Sequence, residues 1–157
     1  MYKVECEADV SLVSSVAAVP RRRITHHDGK FELLRKLLRE RDSVGMIDQD
    51  PLSLQPTHYL QHFQNVNFSA NDGIEVLHHG AGHNRLVILH PRLEEWVIES
   101  ARRVNIGLGS YNLATHGNEL HGEINFKINR FEELLDDLKA ARSPRIEILR
   151  TRLTEPF

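Results

Sequence analysis

From Asp28 to Pro51 a helical repeat runs straight into a short apolar stretch, and this passage limits what the remaining chain can build. Phe31, Leu33, Leu34, Leu37 and Leu38 recur at the spacing of one helix face, with Asp28 as the expected N-cap and a close near Arg41. Val44-Gly-Met-Ile47 then ends abruptly at Asp48-Gln-Asp50 and Pro51. An apolar run this short, bounded by turn formers, reads as a buried strand. Upstream, Tyr2–Cys6 reads as a strand, Ala8–Val19 as a helix ended by Pro20, and Arg23–His27 as a second strand. Strand, helix, strand, helix, strand in fifty residues implies a parallel sheet with right-handed crossovers.

The second half is read the same way. Pro51–Pro56 is loop and Thr57–Phe63 a short helix. Val66, Phe68, Ile74, Val76 and Leu77 suggest strands around the Asn71-Asp-Gly73 turn, and Leu86–Leu89 is another apolar strand. Pro91 suits the first turn of a helix whose inner face carries Leu93, Trp96, Val97 and Ala101. Ile106–His121 reads as irregular. Asn129 with Glu132 has capping-box spacing for a helix through Phe131, Leu134, Leu135 and Leu138, and a last helix carries Ile146 and Leu153. With 157 residues, no repeat and no linker, the expected organisation is one α/β domain over residues 1–157.

Composition excludes several classes. The net charge of −2 does not hold nucleic acid by itself, although arginines cluster at 21–23 and on the helix after Lys30. One cysteine, Cys6, excludes a disulfide framework and a cysteine-rich zinc site, and the ten histidines include no His-Glu-x-x-His. No membrane-spanning segment or apolar leader is seen, so a cytoplasmic protein is expected.

In an open parallel sheet, ligands gather beyond the carboxyl ends of the strands. Glu5 and Asp9 fall beyond the first strand, Asp48 and Asp50 at the end of the third, and Glu94 after Leu86–Leu89. If the third strand continues through Asp50, period-two alternation puts Asp48 and Asp50 on one side. Neighbouring carboxylates repel, and a hard divalent cation relieves them. The alternative for Glu5 and Asp9 is plain negative charge at a helix N-terminus. His78, His79 and His90 are strand-end residues that could line the same cleft, and His26-His-Asp28 suggests a metal-dependent phosphohydrolase only weakly.

Glu5-Cys-Glu-Ala-Asp9 and Val44-Gly-Met-Ile-Asp48-Gln-Asp50 resemble the two acidic motifs of the TOPRIM domain, shared by topoisomerases, bacterial primases and small nucleases of the overcoming-lysogenization-defect type. Pro91-Arg-Leu-Glu94 is similar to the segment of the nuclease branch in which a further glutamate opens a helix. The resemblance implies a TOPRIM-like (Rossmann-like) three-layer fold with a mainly parallel central sheet. It implies Mg2+ or Mn2+ held by Glu5, Asp48 and Asp50, with Asp9 and Glu94 serving a second ion, and Lys127, or its rival Lys30, stabilising the phosphate. The activity implied is phosphodiester hydrolysis of DNA or RNA, with an ATPase protein partner and a role in anti-phage defence; homo-oligomerisation is left open. Cys6 stands where the family usually has glycine, and this supports the alternative of a non-catalytic interaction subunit.

Overall fold

A computed structural model describes all residues, 1–157. Six strands form one sheet: β1 (Tyr2–Val4), β2 (Ile24–His26), β3 (Val44–Asp48), β4 (Gln64–Ser69), β5 (Ile74–His79) and β6 (Asn84–Leu89), in the order β2-β1-β3-β6-β5-β4. β2, β1, β3 and β6 run parallel, and β5 and β4 extend the sheet antiparallel. Seven helices accompany them: α1 (Glu7–Val16), α2 (Lys30–Arg39), α3 (Thr57–Leu60), α4 (Leu93–Arg102), α5 (Gly117–Glu123), α6 (Ile128–Ala140) and α7 (Pro144–Thr154). This mixed, mostly parallel α/β architecture is compatible with a Rossmann-like fold. No helix is long and apolar enough to cross a membrane.

Alternation along the central strands sorts their side chains between two layers. Val44 and Met46 of β3 and Val87 and Leu89 of β6 join the larger core, with α1, α4, α6 and α7. Ile47, Leu86 and Ile88 face the other way, onto Leu33, Leu34 and Leu37 of α2. Gly45 shares that second face. A Cβ there would stand 2.8 Å from Leu37 and 3.1 Å from Leu86, so only glycine lets α2 approach this closely. All of β6 is buried because it is covered on both faces and paired on both edges.

Several element boundaries differ from the sequence expectation, each for a local reason. β3 stops at Asp48, and Asp50 is turned away by a left-handed backbone (φ 42°), so strand alternation does not govern the pair. Gly29, not Asp28, caps α2: its φ of 87° suits glycine, and the Asp28 N–H instead meets Glu32. The helix after β6 begins at Leu93 rather than Pro91, following a cis His90–Pro91 bond. Lys127, not Asn129, precedes α6, and Glu132 turns to Ser11 and Arg21 instead of closing a capping box. Ile106–His121 is partly ordered: it holds a 3₁₀ turn at Leu108–Tyr111 and the start of α5.

The two sheet edges differ. β2 has three residues, whereas β4 has six, and its outer edge has no partner strand. Gln64-Asn-Val-Asn-Phe-Ser69 contains no charge and no proline, with Val66 and Phe68 exposed.

Candidate functional site

The parallel strands all end on one side, and their carboxyl ends open into a cleft of about 450 Å3. Glu5, Cys6 and Asp9 enter from the β1–α1 junction, and Lys30 and Phe31 from the start of α2. Asp48 and Asp50 enter from the end of β3, Arg92 and Glu94 from the start of α4, and His121 from α5. The five acidic residues expected from the sequence are therefore brought together. Lys127 is not: it binds Glu123 and the Asn112 carbonyl, each at 2.7 Å, and borders a different depression. Lys30 is the lysine in the cleft.

At the β1–α1 junction the chain caps its own helix. One oxygen of Asp9 accepts the N–H groups of Glu5 and Cys6, at 3.2 and 3.1 Å, and Cys6 Sγ accepts the N–H of Asp9 at 3.4 Å. This is a capping box with cysteine in the serine position. Half of the Asp9 carboxylate thus has a structural task, as the helix-end alternative anticipates. The Glu5 carbonyl is itself held by His26 Nε2.

The Asp48–Asp50 segment is braced from several sides. Gln49 N–H donates to the Leu89 carbonyl and Asp50 N–H to that of Pro91. Lys30, only 8% exposed, donates to the Gln49 carbonyl at 3.0 Å, to that of Asp48 at 3.4 Å, and to Ser53 Oγ at 2.9 Å. Gln55 Nε2 reaches the carbonyls of Gln49, Asp50 and Ser53. The Asp48 carboxylate accepts the Leu93 N–H at 3.4 Å, which ties β3 to the first turn of α4.

Burial and mutual repulsion make protons hard to remove here. Glu5 is pushed up to about 8, first by burial and then by Asp9 and Asp48, with Lys30 opposing. Asp9 rises to about 7, chiefly by burial, with Asp48 adding to it and the Cys6 contact opposing. Asp48 is raised by burial against the Leu93 hydrogen bond and the Lys30 charge. Burial also pushes the Cys6 thiol far up, so it is an inert cap rather than a nucleophile.

Glu94 is 5% exposed. Its Oε1 contacts His121 Nδ1 at 3.0 Å, and its Oε2 is buried with no partner. An orphaned buried carboxylate oxygen is unfavourable and is the atom a bound cation would satisfy. The donors around the cleft are hard oxygens, the type that Mg2+ and Mn2+ take. They fit such an ion in kind, while no three His, Cys, Asp or Glu side chains stand where they would hold one together.

His121, Arg92, Ser53 and Asn125 were not singled out from the sequence, because nothing local distinguishes them. Asn125 Oδ1 accepts the Ala8 N–H and so links the loop after α5 to α1. His90 faces a separate cavity, and His78 and His79 border a third, at the β5–β6 turn. Trp96 is fully buried and donates to the Asp72 carbonyl, in keeping with a core role.

Fold and cleft together define an α/β domain with an acidic site at the carboxyl edge of a parallel sheet. Compared with protein-family models, curated proteins and solved structures, the chain matches none.

Proposed function

We propose that the chain is a TOPRIM-like, divalent-metal-dependent nuclease that hydrolyses phosphodiester bonds of DNA or RNA. The observation that carries this reading is the meeting of Glu5, Asp9, Asp48 and Glu94, from three separate points of the chain, in one cleft where their charges oppose each other. Glu5, Asp48 and Asp50 would hold one ion, and Glu94, with the free oxygen of Asp9, would serve a second. Such ions, when bound, supply charge neutralisation of the phosphodiester and activation of water. Lys30 positions the Asp48–Asp50 turn through its carbonyls and adds positive charge beneath it, while Arg92, which also lines the cleft, is paired with Glu95. Binding would require these carboxylates to draw closer together.

A net charge of −2 leaves grip on nucleic acid to a partner, and an ATPase subunit acting in anti-phage defence is the partner the family resemblance implies. The second reading is a non-catalytic subunit of such a complex. The capping task of Asp9 and Cys6 favours it, because a helix cap accounts for both residues without a metal.

The deciding measurement is calorimetric titration of Mn2+ into the protein beside the Asp48→Asn, Asp50→Asn double variant. Binding that vanishes in the folded variant supports the metal site, and metal-dependent cleavage of single- and double-stranded DNA and RNA is then assayed. Equal weak binding by both proteins would leave the interaction subunit as the function.

A further inference from the structure

Adjoining the acidic cleft, with Asp48 lining both, is a second cavity of about 240 Å3. Its floor is apolar: Ile47, Leu77 and Ile88 come from three adjacent strands, and Leu60 closes it from α3. Its wall is polar, formed by Gln49, Gln55, Glu75 and His90. A small apolar slot with a few convergent polar groups is the usual form of a binding pocket, and this volume lies below the range for whole drug-sized molecules. It suits one flat ring system.

The hydrogen bonds already made define what the wall can still offer. Gln55 Nε2 is committed to three main-chain carbonyls, which leaves its Oε1 as a free acceptor. Glu75 accepts from Asn65 at 2.6 Å and meets His90 Nε2 at 2.9 Å, and each carboxylate oxygen keeps a second acceptor site. His90 Nδ1 meets the Gln49 side-chain amide at 3.0 Å, so both ring nitrogens are occupied, and in either orientation of that amide Gln49 keeps at least one N–H that His90 does not use. The pocket thus offers several acceptors and one donor over an apolar floor.

We propose that this cavity is a nucleobase pocket with a preference for guanine, whose edge carries two donor groups beside one acceptor. Adenine and cytosine each bring a single amino donor and leave ring acceptors facing the Glu75 carboxylate, which is unfavourable. The inference deepens the nucleic-acid reading of the cleft and rests on it: a base seated here places its own strand beside Asp48, so cleavage would fall next to a guanine. Free guanine nucleotides share the same base chemistry.

The test uses guanosine 5′-monophosphate and adenosine 5′-monophosphate, titrated by calorimetry in a chelator, where the common phosphate cancels and no metal takes part. The expected result is measurable binding of the guanine nucleotide, at least about tenfold tighter than the adenine one, with that preference lost in Glu75→Gln and binding weakened in Gln55→Ala. Circular dichroism confirms that both variants fold. Equal affinity for both nucleotides, no binding of either, or unchanged affinities in both variants would overturn the pocket. Guanine binding with no Mn2+ site would sink the cleft reading alone; an Asp48-dependent Mn2+ site with no guanine binding would sink the pocket alone. Single-stranded oligonucleotides with one guanine separate the sources: tighter binding than the mononucleotide points to a strand, equal binding to a free nucleotide.

Discussion

Cys6 and Asp9 cap one helix for each other: the Cys6 N–H donates to the Asp9 carboxylate at 3.1 Å, and the Asp9 N–H returns the bond to Cys6 Sγ at 3.4 Å. Sulfur is a weak acceptor, so the polar half of this exchange is the carboxylate. The same carboxylate belongs to the acidic cleft, which makes helix geometry and site charge inseparable at this position.

Cys6→Ser keeps the exchange with a better acceptor and is expected to hold or raise stability, whereas Cys6→Ala loses about 0.5–1 kcal/mol. Urea denaturation of the two variants beside the native chain measures both. A serine variant less stable than the alanine one would show that Sγ packs rather than caps.

Ion-free protein should become less stable as the pH rises. Glu5 goes from 4.5 to about 8 on folding, and Asp9 from 3.8 to about 7. The folded state therefore holds protons that the unfolded chain has released. Their stabilisation is complete below about pH 4 and is lost as the pH climbs to about 8. Denaturation midpoints in chelator between about pH 5 and about pH 9 test this, and Glu5→Gln should flatten the decline. A midpoint that climbs through this window would refute the assignment of buried, repelling acids.

Glu94→Gln keeps a side chain of the same shape beside His121 and removes a buried charge whose Oε2 has no partner. Without metal the variant is expected to be more stable by about 1 kcal/mol. In Mn2+ the order should reverse, because the native chain alone gains the ion's binding energy. Thermal melts with and without Mn2+ read both signs, and a variant less stable in both conditions would contradict the role given to Glu94.

Gly45→Ala should cost about 1–3 kcal/mol, since the added methyl must displace Leu37 or part α2 from the sheet. Guanidinium unfolding measures it, and Leu37→Val in the same chain should recover part of the loss. Full stability of the single variant would mean that α2 sits more loosely than the geometry indicates.

What the sequence disclosed follows the range of the forces involved. Val44, Met46 and Ile47 announce a buried strand because alternation and burial are properties of neighbouring residues, and the five acids could be placed because strand ends are local too. Partners brought in by tertiary folding were invisible: His121 meets Glu94 from 27 residues away, and Asn125 reaches Ala8 across 117. Lys127 looked apt by position, but its nearest carboxylate is Glu123, one helical turn back along the chain. The cap at Asp28 was misplaced because Gly29 tolerates a backbone angle that no spacing rule reveals, and that at Asn129 because Glu132 is drawn to Ser11 and Arg21, far away in sequence.

The uncharged edge of β4 has a practical consequence for anyone handling this protein. Its outward backbone groups offer a template for another strand, with neither lysine nor proline to discourage one, although a bulge between Asn65 and Asn67 interrupts the register. At high concentration the chain will tend to associate along that edge and to precipitate when partly unfolded. Lysine at Val66, whose side chain is half exposed, is the change that should keep it monodisperse without reaching the acidic cleft.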